Sequence, residues 1–163
     1  MFRPIETKLN PPKTPANLLR RRRLVDRLES SLREDKKSIL ICAPAGYGKT
    51  SLAADWLART TAPSAWVTLD RSDNDLTRFI QYVYVAIQRA TEITEWSALT
   101  YIDAPVHPPE EEIVLAITQD FAALKSKTVL LLDDYHRITN RSVHGIIAHL
   151  LQHPTPQVVI ALL

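Results

Sequence analysis

Ser38-Ile39-Leu40-Ile41-Cys42, followed at once by Ala43-Pro44-Ala45-Gly46-Tyr47-Gly48-Lys49-Thr50, limits the folds open to this chain more than any other segment. The first five residues read as a strand buried on both faces, which is the habit of a parallel sheet. Residues 50–58 then place Leu52, Ala53, Trp56 and Leu57 on one side of a helix. Between them lies a turn with two glycines and a lysine–threonine pair. Strand, glycine turn and helix in that order form the Walker A phosphate-binding pattern, here with alanine at the first glycine position.

The chemistry explains the residue types. Gly46 and Gly48 let the backbone turn tightly and aim N–H groups of Ala45, Gly46, Tyr47 and Gly48 inward as an anion nest. The helix opening near Lys49 adds about half a positive charge at its N-terminus. Lys49 brings a full charge to the β- and γ-phosphates, the Thr50 hydroxyl suits Mg²⁺, and Ser51 is a further α-phosphate contact. A second constellation, Val129-Leu130-Leu131-Leu132-Asp133-Asp134, puts two acids at the carboxyl end of a buried strand. Asp133 is expected to hold Mg²⁺ through water, and Asp134 to orient or deprotonate an attacking water. The ligand expected from these motifs is therefore a nucleoside di- or triphosphate with Mg²⁺. Read alone, an acidic pair at a strand end also fits a turn cap.

The remaining chain alternates strands and helices. Residues 1–16, with Pro11, Pro12 and Pro15, read as an extended and poorly ordered lead-in, and residues 17–163 as the core. Val25, Leu28 and Leu32 mark a helix after the run Arg20-Arg21-Arg22-Arg23, itself read as a solvated helix start or a phosphate or partner contact. Residues 65–69 read as a second strand. Ser72-Asp73-Asn74-Asp75 supplies capping residues for a helix with Leu76, Phe79, Ile80, Val83, Tyr84 and Ile87 inward. Residues 97–109, with three prolines, read as irregular. Glu110, Glu111 and Glu112 suit the first turn of the next helix, and Val143, Ile146, Ile147, Leu150 and Leu151 mark the last. A fourth apolar run, Val158 to Leu163, ends the sequence. The expectation is an α/β fold of three layers with a mostly parallel sheet, truncated after the fourth core strand as in a fragment of a longer protein.

Composition narrows the function classes. Over 163 residues the net charge is +2, which leaves no basic footprint for nucleic acid or anionic lipid. Cys42 is the single cysteine, so an internal disulfide is excluded and a reducing compartment fits; it is expected to pack inertly in its strand. No apolar run approaches the roughly 20 residues of a membrane helix, and the N-terminus lacks a secretory apolar core. A cytoplasmic protein without a membrane partner is expected. Trp56, Trp66 and Trp96 read as core or boundary aromatics. His149 and His153, four apart, could share a helix face as metal ligands but have no third ligand at a supporting spacing, and His136 reads as a residue behind the site or at the surface, or else as one near the γ-phosphate.

"APAGYGKT", "WVTLDRSDNDLTRF", "VLLLDDYHRITN" and the earlier "LLRRRRLVDRL" together resemble the ATPase module of LuxR-type transcription activators similar to MalT, of the signal-transduction (STAND) class of P-loop NTPases. The likeness runs from residue 18 to residue 163. It implies a nucleotide-dependent switch with slow hydrolysis, in which ATP favours a self-associating state and ADP a resting one. It implies DNA binding only through a C-terminal helix-turn-helix domain absent from this chain. It also implies that the fourth strand lies between the Walker A strand and the strand ending at Asp133. The far edge of residues 38–42 is then open, to be met by self-association or by the N-terminal lead-in. Two other readings fit the phosphate loop alone. A metabolic enzyme such as a small-molecule kinase needs a basic lid, which does not follow the third strand. A catalytically inactive scaffold is opposed by intact Lys49, Thr50, Asp133 and Asp134.

Overall fold

Four apolar runs form one sheet, in which every strand is parallel to its neighbours. The computed structural model describes residues 2–13, 20–91, 93, 95–102 and 109–163. The strands are β1 (Ser38–Leu40), β2 (Ser64–Thr68), β3 (Thr128–Asp133) and β4 (Val158–Leu162), in the order β1-β4-β3-β2. The order expected from the resemblance is therefore present. β4 separates β1 from β3, with Ile160 opposite Ser38 on one side and Leu130 on the other. All carboxyl ends lie along one edge of the sheet, so the loop after β1 and the acids ending β3 meet there.

Alternation along the strands divides the core in two. Val129 and Leu131 of β3, Val159 and Ala161 of β4 and Trp66 of β2 pack on α1 (Arg22–Arg33) and α2 (Lys49–Leu57), through Val25, Leu32, Ala53 and Trp56. Leu130, Leu132, Val158 and Ile160 face the opposite layer of α3 (Leu76–Thr91), α5 (Glu110–Ala122) and α6 (Arg141–Gln152). The residues of β3 are all buried, and each large aliphatic side chain contributes about 1.5–3 kcal/mol by leaving water. Helices on both faces of a parallel sheet are the three-layer α/β arrangement expected. Trp56, Trp66 and Trp96 are all buried within it.

Three expectations need correction. The first strand is not buried on both faces, since Leu40 is 74% exposed and only Ile39 is buried. β1 is an edge strand, pairing with β4 alone among the described residues. For the same reason Cys42 is exposed, not packed, because the chain has left the sheet by that point. Within residues 97–109, α4 (Ser97–Ile102) is helical. Asp120 of α5 accepts hydrogen bonds from the Ser97 and Ala98 N–H groups at 3.0 Å each and so caps it. The proline-bearing residues 103–108 lie outside the described part.

Residues 2–13 do not approach β1. A 3-10 turn, Glu6–Lys8, sits instead beside β2 and α3. Phe2 meets Tyr82 edge-on at 5.0 Å, and Lys8, 7% exposed, reaches Asp73 at 2.5 Å and Asp70 at 2.8 Å. Coverage of the β1 edge by the described lead-in is thus overturned. The ion pairs on the opposite side of the sheet hold it there.

Candidate phosphate-binding site

The turn after β1 takes its shape from its glycines. Gly46 has φ +81° and Gly48 φ +75°, in the left-handed region that costs other L-residues about 1–2 kcal/mol. A Cβ on Gly46 would meet nothing within 4 Å, so conformation and not crowding requires glycine there. Gly48 is the N-cap of α2, and its carbonyl accepts the Leu52 N–H at 2.9 Å. The first residues of α2 are then Lys49, Thr50 and Ser51. Their N–H groups are helix-start donors with no partner inside the helix, the feature that makes such a turn an anion site.

Lys49 folds back over its own loop. Its Nζ donates to the Ala43 carbonyl at 2.7 Å, beside the Pro44 carbonyl at 3.4 Å. Thr50 joins the second half of the site, because its hydroxyl donates to Asp133 Oδ1 at 3.0 Å. Asp133 is 4% exposed, and this burial pushes its carboxyl above the ordinary carboxylate value. The Thr50 bond opposes that rise, and the like charge of Asp134 adds to it. A desolvated carboxylate beside a hydroxyl suits a hard divalent cation, so the donor set fits Mg²⁺.

Asp134 follows with φ +56°, its N–H donating to Asp133 Oδ1 at 3.0 Å. Its side chain is 43% exposed and lies 3.9 Å from His136 Nδ1. Ala45 and Tyr47 sit exposed on the rim of the turn, while Ser51 is half-buried one residue inside α2. Arg21 approaches the loop from the start of α1, its Nη2 3.9 Å from where a Gly48 Cβ would stand. Arg22 and Arg23 share that first turn with no acid, an unfavourable charge for a helix N-terminus. Beside the loop runs a groove of about 440 Å³ with Arg21, Leu24, Leu40, Tyr47, Lys49 and Leu52 among its walls.

The sequence did not single out Asn74. This residue ends a 3-10 turn, Arg71–Asn74, that follows β2 and is capped by Asp70. Asn74 Oδ1 accepts the N–H groups of Thr139 at 2.6 Å and Asn140 at 2.8 Å. Asn74 Nδ2 donates to the Arg137 carbonyl at 3.1 Å, and Asn140 Nδ2 donates to the Asn74 carbonyl at 2.6 Å. Asn140 in turn caps α6, with Oδ1 accepting from the Ser142 and Val143 N–H groups. The clue available in sequence was the density of capping residues in 70–75.

Comparison with known proteins places the chain. The AAA ATPase domain family matches residues 17–162. This chain belongs to that family. It is also similar to the HTH-type transcriptional regulators MalT of Vibrio campbellii (32% identical over 150 residues, 91% of this chain), Yersinia pestis (33% over 164 residues, 98%) and Cronobacter sakazakii (31% over 159 residues, 98%). The chain spans 16% to 17% of the length of these relatives. The expected resemblance to the ATPase module of MalT-type regulators is thereby borne out. Within the AAA ATPase match lie the phosphate loop, Asp133 and Asp134. No described helix is long and apolar enough to cross a membrane.

Proposed function

We propose that this chain is the nucleotide-switch module of a MalT-like transcriptional regulator, binding Mg-ATP and Mg-ADP and hydrolysing ATP slowly. The observation that carries the reading is the Thr50–Asp133 contact at 3.0 Å, which unites the two halves of the motif on one edge of the sheet. Backbone N–H groups of residues 45–51 hold the α- and β-phosphates, and Lys49 leaves its carbonyl partners for the β- and γ-phosphate oxygens. The groove beside the loop is of a size for the nucleoside. Thr50 and, through water, Asp133 would hold Mg²⁺, which would supply positive charge against the polyphosphate. Asp134 aligns the attacking water and takes its proton.

In the whole regulator, ATP favours a self-associating state and DNA is met through a separate helix-turn-helix domain. The edge of β1, unpaired on its far side among the described residues and with Leu40 74% exposed, supports association, since open apolar edges recruit further strands. The reading places the protein in the cytoplasm.

Thermal melts test it. Ligand at about 100 times its dissociation constant adds roughly 2.7 kcal/mol to stability. Mg-ADP is expected to raise the midpoint of the wild-type chain and to leave Lys49→Ala unmoved, because the nest alone does not balance the polyphosphate charge. An equal shift in both proteins would refute the assignment.

A further inference from the structure

We infer that Asn74 is a positioning residue for the loop that carries Asp134. The inference rests on the nucleotide-switch reading above and extends it to a residue outside both halves of the motif.

The connection between β3 and α6 is held along its length, with Ile138 buried in the core and the Tyr135 hydroxyl 2.7 Å from His144 Nδ1. Near its start, the Tyr135 N–H donates to the Leu163 carbonyl at 3.1 Å, tying the loop to the end of β4. At its far end, the Arg137 carbonyl and the N–H groups of Thr139 and Asn140 are all met by the one side chain of Asn74. Asp134 stands just ahead of the first anchor, with a left-handed backbone and a half-exposed side chain. Its carbonyl accepts the Arg137 N–H at 2.9 Å, so the residue gripped by Asn74 is bonded directly to the backbone of Asp134. No ion pair holds the Asp134 carboxylate from the sheet side among the described residues; the His136 ring of the same loop lies 3.9 Å away. That carboxylate is placed by the loop, and Asn74 fixes the far end of the loop.

The amide is suited to this task. One side chain offers an acceptor that takes two backbone N–H groups and a donor that reaches a carbonyl on the same segment. Asn74 itself is fixed, because Nδ2 also donates to the Arg71 carbonyl at 3.0 Å within its capped turn. That turn continues from β2, and the Leu69 N–H at the end of β2 donates to the Asp133 carbonyl at 2.9 Å. The frame holding Asn74 is therefore joined to the strand end holding Asp133. A displacement of about 1 Å in such a group costs up to about 10²-fold in rate.

The test separates positioning from folding and from nucleotide binding. Single-turnover cleavage of γ-labelled ATP, with protein in excess and Mg²⁺ present, is measured beside Mg-ADP affinity for wild type, Asn74→Ala and Asn74→Asp. The expected result is a loss of about tenfold to a hundredfold in cleavage for Asn74→Ala, with Mg-ADP affinity held within about twofold. Asn74→Asp keeps the acceptor for Thr139 and Asn140 but loses the donor to Arg137, and is expected to fall between the two. Unchanged cleavage in either variant overturns the proposal. So does a matching loss of Mg-ADP affinity in a folded variant, since Asn74 would then be part of the phosphate site. Should Asn74→Ala fail to fold, Asn74→Asp alone decides by the same criteria. Failure of the nucleotide reading itself shows up differently, as Mg-ADP binding in wild type that Lys49→Ala does not disturb.

Discussion

Thr50 and Asp133, 83 positions apart, share a hydrogen bond of 3.0 Å between the threonine hydroxyl and Oδ1 of the acid. The bond locks the first turn of α2 to the last residue of β3, so neither half of the motif is free to drift from the other. Among the described residues, both hydrogen bonds accepted by the Asp133 side chain fall on Oδ1, from Thr50 and from the Asp134 N–H. Burial meanwhile disfavours the charge on this group.

That combination sets stability against function at Asp133. A carboxyl whose folded pKa lies above its unfolded value costs stability once the pH exceeds the unfolded value, and the cost fades at lower pH. Asn at this position keeps Oδ1 for both bonds and removes the charge. Asp133→Asn is expected to melt higher than wild type at pH 7 without ligand, with the gap closing as the pH falls through the carboxylate range. The same variant is expected to lose the magnesium-dependent part of nucleotide stabilisation. Melting curves with and without Mg-ADP check both halves.

The docked N-terminal segment carries its own pH signature. Burial raises the Asp70 carboxyl, but the bonds from Lys8 and Ser72 outweigh it and hold the group at about 2, below its ordinary 3.8. A lowered folded pKa adds stability above the ordinary value, which is lost as pH falls from about 4 towards 2. Lys8→Met removes the lysine's share of this contribution and leaves Asp73, fully buried, with Arg78 at 3.2 Å as its remaining cation. The variant is expected to lose about 3 kcal/mol at pH 7, the lower end for a broken buried pair. Its stability is also expected to fall less steeply between pH 4 and pH 2. Urea denaturation across that range measures both.

Turnover is expected to be slow. An arginine brought to the γ-phosphate is worth about 10³–10⁵ in this chemistry. Among the described residues the Asp134 side chain faces the His136 imidazole, and no guanidinium is paired with it. Phosphate release by the purified chain is expected to stay far below the enzyme median of about 10 s⁻¹. A rate near that median would mean that the site holds all it needs for fast hydrolysis.

Much of this arrangement is legible in the sequence because it is local. Gly46, Gly48, Lys49 and Thr50 announce themselves by spacing, and the apolar run before Asp133 announces a buried strand end. The sheet order came from resemblance, not from spacing. Tertiary features stayed hidden. An apolar run does not say whether its strand lies inside a sheet or at its edge, which is why Leu40 and Cys42 were read as buried. The prolines at 105, 108 and 109 masked α4, whose cap comes from Asp120, more than 20 residues away. Asn74 read only as one of the capping residues ahead of α3 because its partners lie 63 to 66 positions along the chain. Lys8 likewise carries no sign in its neighbours that it is buried against Asp73.

The most direct measurement is a calorimetric titration of ADP into the wild-type chain and Lys49→Ala, each with Mg²⁺ and with the metal chelated. Phosphates held by residues 45–51, with Thr50 and Asp133 placed for the metal, require binding by wild type that weakens without Mg²⁺. They also require binding to fall in Lys49→Ala under both conditions, since Lys49 contacts phosphate and not metal. Wild-type affinity that survives both chelation and the loss of Lys49 would contradict the account.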